Sequence, residues 1–455
     1  MAILPEIIAS LPDVNIKGAL DAPITGVSID TRSLNAGDLF VAFIGSQVDG
    51  HDYIPKAISR GASAIMASTV WDGCEDWEAS IPLIMTDDPV KSLADLATAH
   101  RNLFDIPLIA ITGTNGKTST KNLLSHILGK RYSVLSTDGN FNNHIGLPLT
   151  LLKLDETHEL AVIEMGASQK GDIEYLCNIA RPTQGLITNV SLAHTEFFHD
   201  IDTIQSTKGE LFQYLGSHGG RSFVNLDDDR VAELSSKCTN PVEFSFTREC
   251  ERSFTLAGPD ETGTYTLQFM KYSAHLTQPG KAIALNAAAA ATIALQNGIR
   301  FDELQLALED YPGETGRMQL QIVRDVQFYN DAYNANPASA RAGFETMAEM
   351  HTSARKILIF ADMLELGALS EDLHIEASRQ MIEAGFDYII LLGVETSVCA
   401  TYLKSQNFST YSHHDDRTVA IEHFLSVIHA GDLVYLKGSR GMKLETFLNA
   451  YKENI

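Results

Sequence analysis

The chain is poor in the features that would place it outside a reducing compartment or in a membrane. Its 455 residues include only five cysteines, which are scattered and form no C-x-x-C pair. Neither a disulfide framework nor a zinc site is therefore predicted. The N-terminal stretch carries Glu6 and lacks the basic region of a signal peptide. No run of apolar residues is long enough to cross a bilayer. We expect a cytoplasmic protein with no membrane insertion.

Basic residues are also in short supply. The chain has 34 Lys and Arg against 58 Asp and Glu, a formal net charge of −24. Such an excess repels the phosphates of nucleic acids, so no nucleic-acid partner is expected. It does not exclude a small anionic ligand, because a local lysine, Mg²⁺ and helix ends can bind one. Nothing in the sequence demands an oligomer, and we expect a monomer.

The segment 106–120, IPLIAITGTNGKTST, carries the clearest chemical signal. An apolar β-type run ends in a glycine-bearing turn, and a helical pattern follows it. In this strand–turn–helix geometry, free backbone N–H groups and the positive helix end point at an anion. Lys117 would reach the β- and γ-phosphates, and the Thr118 hydroxyl would ligate Mg²⁺. The segment predicts nucleotide binding.

The match to the general phosphate-loop pattern is incomplete. That pattern requires glycine at position 111, where this chain has Ile111. A purely structural glycine turn is the alternative, but the flanking strand and helix favour a nucleotide site. The predicted loop residues are Gly113, Thr114, Asn115, Gly116, Lys117, Thr118 and Ser119.

The chain divides into three predicted domains around two clefts, all of the α/β class. Residues 1–85 mix short strands and helices. Residues 86–312 contain alternating strands and helices from about 106 onward, which predicts a parallel sheet covered by helices. Gly313 and Gly316 bracket a hinge. Residues 313–455 read as βα units and a final strand, forming a smaller α/β domain.

Polar residues follow the strands of the central domain, where open α/β sheets bind their ligands. Glu164 closes an apolar strand and is a candidate Mg²⁺ ligand, with a solvent-facing strand end as the alternative. Asn189 and His194 fall near the same edge. His194 could ligate a second cation, although a lone histidine is more often an ordinary loop residue. Lys208, considered alone, reads as a solvated lysine.

Two further polar segments end strands of the last domain. The segment 331–337, DAYNANP, either caps a helix or forms a polar ligand wall. The segment 437–441, KGSRG, is either a flexible basic turn or a clamp for carboxylate or phosphate, given the planar guanidinium of Arg440. From the residues alone, the prediction is an ATP-using enzyme with metal-held phosphates and an unexplained N-terminal module.

Taken together, the motifs resemble those of the Mur ligases, ATP-dependent amide-forming enzymes of peptidoglycan precursor synthesis. TGTNGKTST at 112–120 is similar to that family's own phosphate loop, which accounts for Ile111. The resemblance covers essentially the whole chain. One departure is Leu285, which stands where the family often has a histidine before the adenine-contacting asparagine. The other matching residues, in order, are Glu164, His194, Lys208, Asn286, Gly316, Arg317 and Asp331.

The match narrows within the family. The segment 26–54 resembles the UDP-binding domain shared by the two later ligases. Segments 138–152, 331–339 and 361–367 resemble the member that adds D-alanyl-D-alanine to UDP-N-acetylmuramoyl-tripeptide. The ligase that adds the third amino acid, which carries a DNPR-type signature not found here, is one alternative. A catalytically inactive, nucleotide-binding regulatory protein is another. Folylpolyglutamate synthetases share the ATP core but lack the uridine module.

The resemblance implies a small uridine-binding N-terminal domain, a central ATPase-type domain and a Rossmann-like C-terminal domain. It implies ATP, two Mg²⁺ ions and a carbamylated Lys208 as second-metal ligand, with Lys117, Glu164, His194 and Lys208 as the catalytic set. The implied metal ligands are Thr118, Glu164, His194 and Lys208.

The resemblance also implies where the substrates bind. Adenine, phosphate and ribose would contact Asn286, Arg317 and Asp331, beside a wall of Tyr333, Asn334 and Asn336. The uridine diphosphate would contact Ser28, Asp30, Thr31, Arg32, Asp49, Gly50 and His51. The sugar–peptide part would contact Asn142 and Asn143, and the dipeptide would contact Asp362, Leu366, Ser439 and Arg440.

Overall fold

The computed structural model describes residues 3, 5–21, 24–45, 47–192 and 200–453. Three β-sheets lie in three successive parts of the chain, as expected for a three-domain α/β protein. Among the described residues, no helix combines the length and apolarity that a membrane span requires.

The first sheet has five strands in the order β1-β5-β4-β3-β2. Strand β1 runs antiparallel to β5, and the other neighbours are parallel. The strands are β1 Val14–Lys17, β2 Gly26–Ser28, β3 Asp38–Val41, β4 Ala64–Ser68 and β5 Leu83–Thr86. The helices are α1 Pro5–Ala9, α2 Ile54–Ser59 and α3 Pro89–Arg101, which leads into the next sheet.

The second sheet has nine strands in the order β14-β13-β12-β11-β10-β9-β6-β8-β7. Its strands are β6 Leu108–Thr112, β7 Val134–Ser136, β8 Leu160–Glu164, β9 Gln184–Ile187, β10 Arg221–Asn225, β11 Pro241–Ser245, β12 Arg252–Ala257, β13 Thr264–Phe269 and β14 Tyr272–Pro279. Its helices are α4 Lys117–Leu128, α5 Gly146–Leu151, α6 Asp172–Ala180, α7 Ile201–Ser217, α8 Asp229–Glu233, α9 Lys281–Gln296 and α10 Phe301–Glu309.

The expectation of a purely parallel central sheet is wrong at one side. Strands β12, β13 and β14 form an antiparallel meander beside the parallel strands. In β14, exposed and buried residues alternate over much of the strand, as is typical of an antiparallel strand with one solvated face. The phosphate-loop strand β6 instead lies between β9 and β8 and is buried along its whole length.

The third sheet has six strands in the order β15-β16-β20-β17-β18-β19, with only β15 antiparallel. The strands are β15 Gln319–Val323, β16 Val326–Asp331, β17 Lys356–Ala361, β18 Tyr388–Leu392, β19 Tyr411–His414 and β20 Leu433–Lys437. The helices are α11 Pro337–Glu349, α12 Ser370–Glu383, α13 Ser397–Ser405, α14 Arg417–Val427 and α15 Glu445–Glu453.

Helix α9 supports the phosphate-loop helix from behind. Its alanines at 284 and 287–291 are all buried, together with Leu123, Leu124 and Ile127 of α4. Small side chains let the two helix backbones approach closely, and this packing fixes the direction in which α4 points its N-terminus.

Candidate active site

The phosphate loop joins the end of β6 to the first residue of α4. Gly113 and Gly116 have φ angles of +138° and +79°. A Cβ atom at Gly113 would lie 2.0 Å from the Thr188 hydroxyl oxygen, and one at Gly116 would lie 2.4 Å from Asn286 Oδ1. Only glycine combines this backbone conformation with so little space. Asn286, a predicted nucleotide contact, therefore borders the loop directly.

The end of β9 holds the loop in place. The Asn115 N–H donates to Asn189 Oδ1 at 3.0 Å, and the Asn189 side-chain amide donates back to the Asn115 carbonyl at 2.9 Å. The Thr188 hydroxyl donates to the same carbonyl at 2.6 Å. Asn189 was predicted to lie near the loop, and its contacts show that it shapes the loop backbone.

Lys117 lies folded over its own loop. Its ammonium group donates to the carbonyl oxygens of Gly113 and Thr114 at 2.8 and 2.9 Å. Burial lowers the pKa of Lys117, while the nearby charge of Glu164 opposes that shift. The lysine is thus placed at the mouth of the loop.

Glu164 is a buried carboxylate with one satisfied oxygen and one that has no partner. The residue is only 2% exposed, and its Oε1 accepts a hydrogen bond from Asn142 Nδ2 at 2.7 Å. Its backbone N–H donates to the Thr137 hydroxyl at 3.0 Å. Oε2 is buried without a hydrogen-bond partner. A buried carboxylate oxygen left open is costly unless a cation faces it, and an oxygen donor suits Mg²⁺. The solvent-facing alternative for Glu164 is wrong.

Lys208 is buried, not solvated. It lies on α7 and is only 4% exposed. Burial lowers its pKa to about 7, and the charge of Lys117 lowers it further in the same direction. The fold thus brings Lys208 to the phosphate loop from a position 91 residues away along the chain.

A cavity of about 430 Å³, here called the loop cavity, lies between the phosphate loop and Lys208. Lys117 and Lys208 line it, with the predicted substrate contacts Asn142 and Asn143. The Asn143 side chain also accepts from the N–H groups of Ile145 and Gly146 at the start of α5, at 3.1 and 2.9 Å. Other residues that line the loop cavity were not predicted from the sequence, because they share no motif and meet only in the fold. They are His144, Ser168, Gln169, Asp172, Tyr175, Leu176 and Ile204.

The described residues supply only part of the predicted set of metal ligands. The predicted ligand His194 lies outside the described residues. Within the described part of the chain, no group of three His, Cys, Asp or Glu side chains could hold a metal ion. Glu164 and Thr118 would therefore depend on phosphate oxygens and water to complete the shell of an ion.

A smaller cavity of about 230 Å³, here called the hinge cavity, lies between α4 and the start of the last domain. It is lined by Thr118, Lys121, Asn122, Gly139, Glu314, Thr315, Arg317 and Tyr333. The Arg317 guanidinium stacks over the Tyr333 ring at 4.2 Å and pairs with Glu314 at 3.2 Å. Arg317 and Tyr333, both predicted nucleotide contacts, are thus brought together beside Thr118.

The DAYNANP segment reaches the phosphate loop itself. Asn336 Nδ2 donates to Asn115 Oδ1 at 2.7 Å. This hydrogen bond joins the segment after β16 of the third sheet to the phosphate loop after β6 of the second sheet. Asn336 also caps α11, so the helix-cap and ligand-wall interpretations are compatible. Asp331 is held by Lys437 at 2.7 Å and by the Tyr435 hydroxyl at 3.0 Å.

The basic segment 437–441 begins at the last residue of β20, and its two basic side chains differ in exposure. Lys437 is only 1% exposed and donates to the Asn334 carbonyl at 3.0 Å as well as to Asp331. It is not part of a flexible turn. The Arg440 side chain is 66% exposed and lies 3.4 Å from Glu445.

The other predicted dipeptide contacts lie deeper in the last domain. The Ser439 N–H donates to the Asp362 carbonyl at 3.2 Å, and Asp362 Oδ1 accepts from the Thr396 N–H at 2.9 Å. Leu366 is 3% exposed and packs in the hydrophobic core. Asp362 and Ser439 are therefore neighbours, whereas Leu366 is mainly a core residue.

The predicted uridine contacts form two turns at the carboxyl edge of the first sheet. In the first, Asp30 pairs with Arg32 at 2.6 Å, and the Ser28 hydroxyl donates to the Asp30 carbonyl at 2.9 Å. Thr31 is buried, and its backbone carbonyl accepts from the Arg60 guanidinium.

The second turn contains Asp49, Gly50 and His51. Asp49 Oδ1 lies 2.6 Å from His51 Nδ1, and the His51 ring accepts from the Ser68 N–H at 3.2 Å through Nε2. These contacts place the ring proton on Nδ1. The Gly50 N–H donates to the Phe43 carbonyl at 2.9 Å, so this turn follows β3 directly beside the turn that follows β2.

Three protein-family domains match the chain in the order of its sheets. Residues 23–101 match the Mur ligase family catalytic domain, residues 111–294 the Mur ligase middle domain, and residues 316–440 the Mur ligase glutamate ligase domain. The chain is 30% identical over 447 residues to UDP-N-acetylmuramoyl-tripeptide–D-alanyl-D-alanine ligase of Bacillus subtilis, covering 94% of this chain and 95% of the relative. This chain belongs to the Mur ligase family.

Other relatives agree with this Mur ligase assignment. The enzyme of the same name from Escherichia coli is 31% identical, with 96% of each chain covered. The crystal structure of MurF from Acinetobacter baumannii superposes with a TM-score of 0.86 at 26% identity, covering 95% of this chain and 94% of that one. MurF ligase from Thermotoga maritima in complex with ADP gives a TM-score of 0.82 at 25% identity, covering 94% and 97%. The predicted family and fold class are confirmed.

Proposed function

We propose that this Mur ligase uses ATP to join D-alanyl-D-alanine to UDP-N-acetylmuramoyl-tripeptide, the last amide-forming step toward the peptidoglycan pentapeptide precursor. The observation that carries the proposal is the loop cavity. It places the phosphate loop beside Lys208, and Glu164 lies in the charge field of Lys117 with one oxygen open. The names of relatives that align with nearly the whole chain support the choice of substrates.

The proposed reaction has two steps. The terminal carboxylate of the tripeptide attacks the γ-phosphorus of ATP, forming an acyl phosphate and releasing ADP. The amine of D-alanyl-D-alanine then attacks the acyl carbon, and inorganic phosphate leaves through a tetrahedral intermediate. The protein forms no covalent bond to substrate in this scheme, so its contribution is positioning and charge neutralisation.

Lys117 neutralises the β- and γ-phosphates in this proposal, and release from its own loop carbonyls accompanies nucleotide binding. Thr118 and Glu164 would hold a first Mg²⁺, and His194 with Lys208 a second. These ions would neutralise charge on the transferring phosphoryl group. The open Oε2 of Glu164 supports the first position.

We propose that Lys208 carries a carbamate. The neutral amine would add to the carbon of CO₂ and lose a proton, turning a cation into an oxygen ligand. Two observations support this change. Lys208 is nine-tenths buried or more, and it shares its cavity with the cationic Lys117. An anionic carbamate suits that position better than a second ammonium group does.

The nucleotide contacts lie around the hinge cavity in this proposal. Asn286 would hold adenine, Arg317 phosphate and Asp331 ribose, with Tyr333, Asn334 and Asn336 as the adjoining wall. Leu285 replaces the polar residue that the family often uses next to Asn286, so adenine recognition would rest on Asn286 itself. The Asn336–Asn115 hydrogen bond supports a nucleotide site shared by two domains.

The remaining assignments stay predictions. They include the uridine and dipeptide contacts, the domain boundaries at 85/86 and 312/313, the monomeric state and the cytoplasmic location.

Phosphate release with UDP-N-acetylmuramoyl-tripeptide and ATP tests the proposal against its alternatives. We expect release to depend on D-alanyl-D-alanine and to be far slower with single amino acids. Faster release with a single amino acid on the corresponding dipeptide substrate would identify the third-residue-adding ligase instead. ADP binding without release under any combination would identify an inactive regulatory protein.

A further inference from the structure

Lys121 is a buried ammonium group that the reaction scheme above does not use. It lies on α4, one helical turn after Lys117, and is only 3% exposed. Its Nζ donates to the Thr137 carbonyl at 2.6 Å. In the described part of the chain, no carboxylate lies within ion-pair distance of it. An ammonium group has three donors, and a buried charge held by one neutral acceptor is costly.

A structural role alone does not account for this charge. Holding the Thr137 carbonyl requires one donor, which a neutral side chain could supply without the cost of burying a cation. The Thr137 hydroxyl in turn accepts from the backbone N–H of Glu164. A neutral side chain in place of Lys121 could hold Thr137 in this position equally well. The position of the charge therefore calls for an anion that arrives during function.

Lys121 lines the hinge cavity, where such an anion would fit. The charged residues that line this cavity with it are Arg317 and Glu314, which already pair with each other at 3.2 Å. Burial lowers the pKa of Lys121; the nearby carboxylates of Glu164, Glu314 and Asp138 oppose that shift, and the charge of Arg317 adds to it. The Arg317–Glu314 pair is neutral as a unit. The charge of Lys121 therefore gives the residues that line the cavity a net charge of +1. The Thr118 hydroxyl adds a neutral polar group.

We propose that Lys121 is a substrate-binding residue that holds an oxyanion in the hinge cavity. The inference rests on the proposed function, which brings two such groups to this region: a phosphate of the ADP part of the nucleotide and the carboxylate of the acceptor dipeptide. Both offer the charged oxygen acceptor that Lys121 lacks, and a charge-assisted hydrogen bond to either is stronger than one to a carbonyl.

Three variants and one control test this role. Lys121→Met and Lys121→Gln remove the charge, with glutamine retaining a donor, and Lys121→Arg keeps the charge. Lys153→Met is the control, because Lys153 is an exposed lysine that pairs with Asp138, the residue after Thr137. Calorimetry gives the Kd of ADP without dipeptide, and steady-state kinetics gives the KM of D-alanyl-D-alanine at saturating ATP.

If the oxyanion is a nucleotide phosphate, both neutral variants raise the Kd of ADP about tenfold or more, and the KM of the dipeptide is unchanged. If it is the dipeptide carboxylate, the KM rises by the same factor and the Kd of ADP is unchanged. In either case Lys121→Arg recovers most of the loss and Lys153→Met has no effect.

Folded neutral variants with both constants within twofold of the parent would overturn the proposal, as would an equal loss in Lys153→Met. Unfolding of both neutral variants in the absence of ligand would overturn it too, because the charge would then serve the fold. Failure of the proposed function is distinguishable: the parent would show no dipeptide-dependent phosphate release, whereas a change in the Kd of ADP could still be measured.

Discussion

The central domain and the N-terminal domain treat their polar strand ends in opposite ways. Around the phosphate loop, Glu164 has an open buried oxygen and Lys121 is held by a single carbonyl. In the N-terminal turns, Asp30 pairs with Arg32, and His51 uses both ring nitrogens on Asp49 and Ser68. A buried charged group that is left unsatisfied carries a cost, and a ligand of opposite charge removes it. The central site is therefore built for ligands of high charge, whereas the N-terminal turns are satisfied without one.

The largest expected effect comes from Lys208. Lys208→Ala should remain folded and lose activity by about 10³-fold or more, because an oxygen ligand opposite the phosphoryl group is lost. Added short carboxylates should restore part of the rate. Lys170→Ala serves as the control. Lys170 is exposed and follows Gln169 in the chain, but unlike Gln169 it does not line the loop cavity. Full activity of Lys208→Ala would contradict the carbamate proposal.

Glu164→Gln tests whether the open oxygen serves a metal. Glutamine keeps the shape and the acceptor for Asn142, so the variant should remain folded. We expect kcat to fall by about 10²-fold and the Mg²⁺ concentration for half-maximal rate to rise. The measurement is a Mg²⁺ titration of phosphate release, and an unchanged midpoint would remove Glu164 from the metal site.

Two glycine substitutions separate strain from collision in the phosphate loop. Gly116→Ala and Gly219→Ala both place alanine at positive φ, but only Gly116 has an atom, Asn286 Oδ1, within 2.4 Å of the new Cβ; Gly219 has none within 4 Å and lines neither cavity. Each should lose about 1–2 kcal/mol from backbone strain, and Gly116→Ala should lose more. Urea unfolding measures the difference, and calorimetry should show weaker ADP binding for Gly116→Ala alone. Equal losses would place Asn286 away from the loop.

The smallest effect belongs to the N-terminal turn. Hydrogen bonds from His51 lower the pKa of Asp49. A carboxyl whose pKa is lower when folded contributes stability above its unfolded pKa, and that contribution is lost as pH falls through the folded value. The parent should therefore be slightly more stable than Asp49→Asn at neutral pH, and the difference should shrink as the pH falls below about 4. Urea unfolding at several pH values checks this, and a difference that persists at low pH would contradict it.

The sequence was sufficient for residues that act through local geometry. Lys117, Thr118 and Glu164 lie at strand ends or helix starts, and the order of elements along the chain fixes their positions. The burial of Lys208 and Lys437 could not be predicted, because it depends on which helix or strand covers each residue. The meander β12–β14 was missed for a similar reason, since short alternating strands resemble exposed loops in sequence. Lys121 belongs to no motif that was used to predict the site. It is identified only in the structure, as a buried ammonium group whose hydrogen-bond acceptor is a neutral carbonyl.

The most direct test of the central claim follows an oxygen atom. UDP-N-acetylmuramoyl-tripeptide with ¹⁸O in its terminal carboxylate is incubated with the enzyme, ATP, Mg²⁺ and D-alanyl-D-alanine, and the released phosphate is analysed by mass spectrometry. An acyl phosphate transfers one carboxylate oxygen to phosphate, so we predict one ¹⁸O atom per phosphate released, together with the pentapeptide product. Phosphate without label would show that ATP is hydrolysed by water, and would contradict the assignment of this site as an amide ligase.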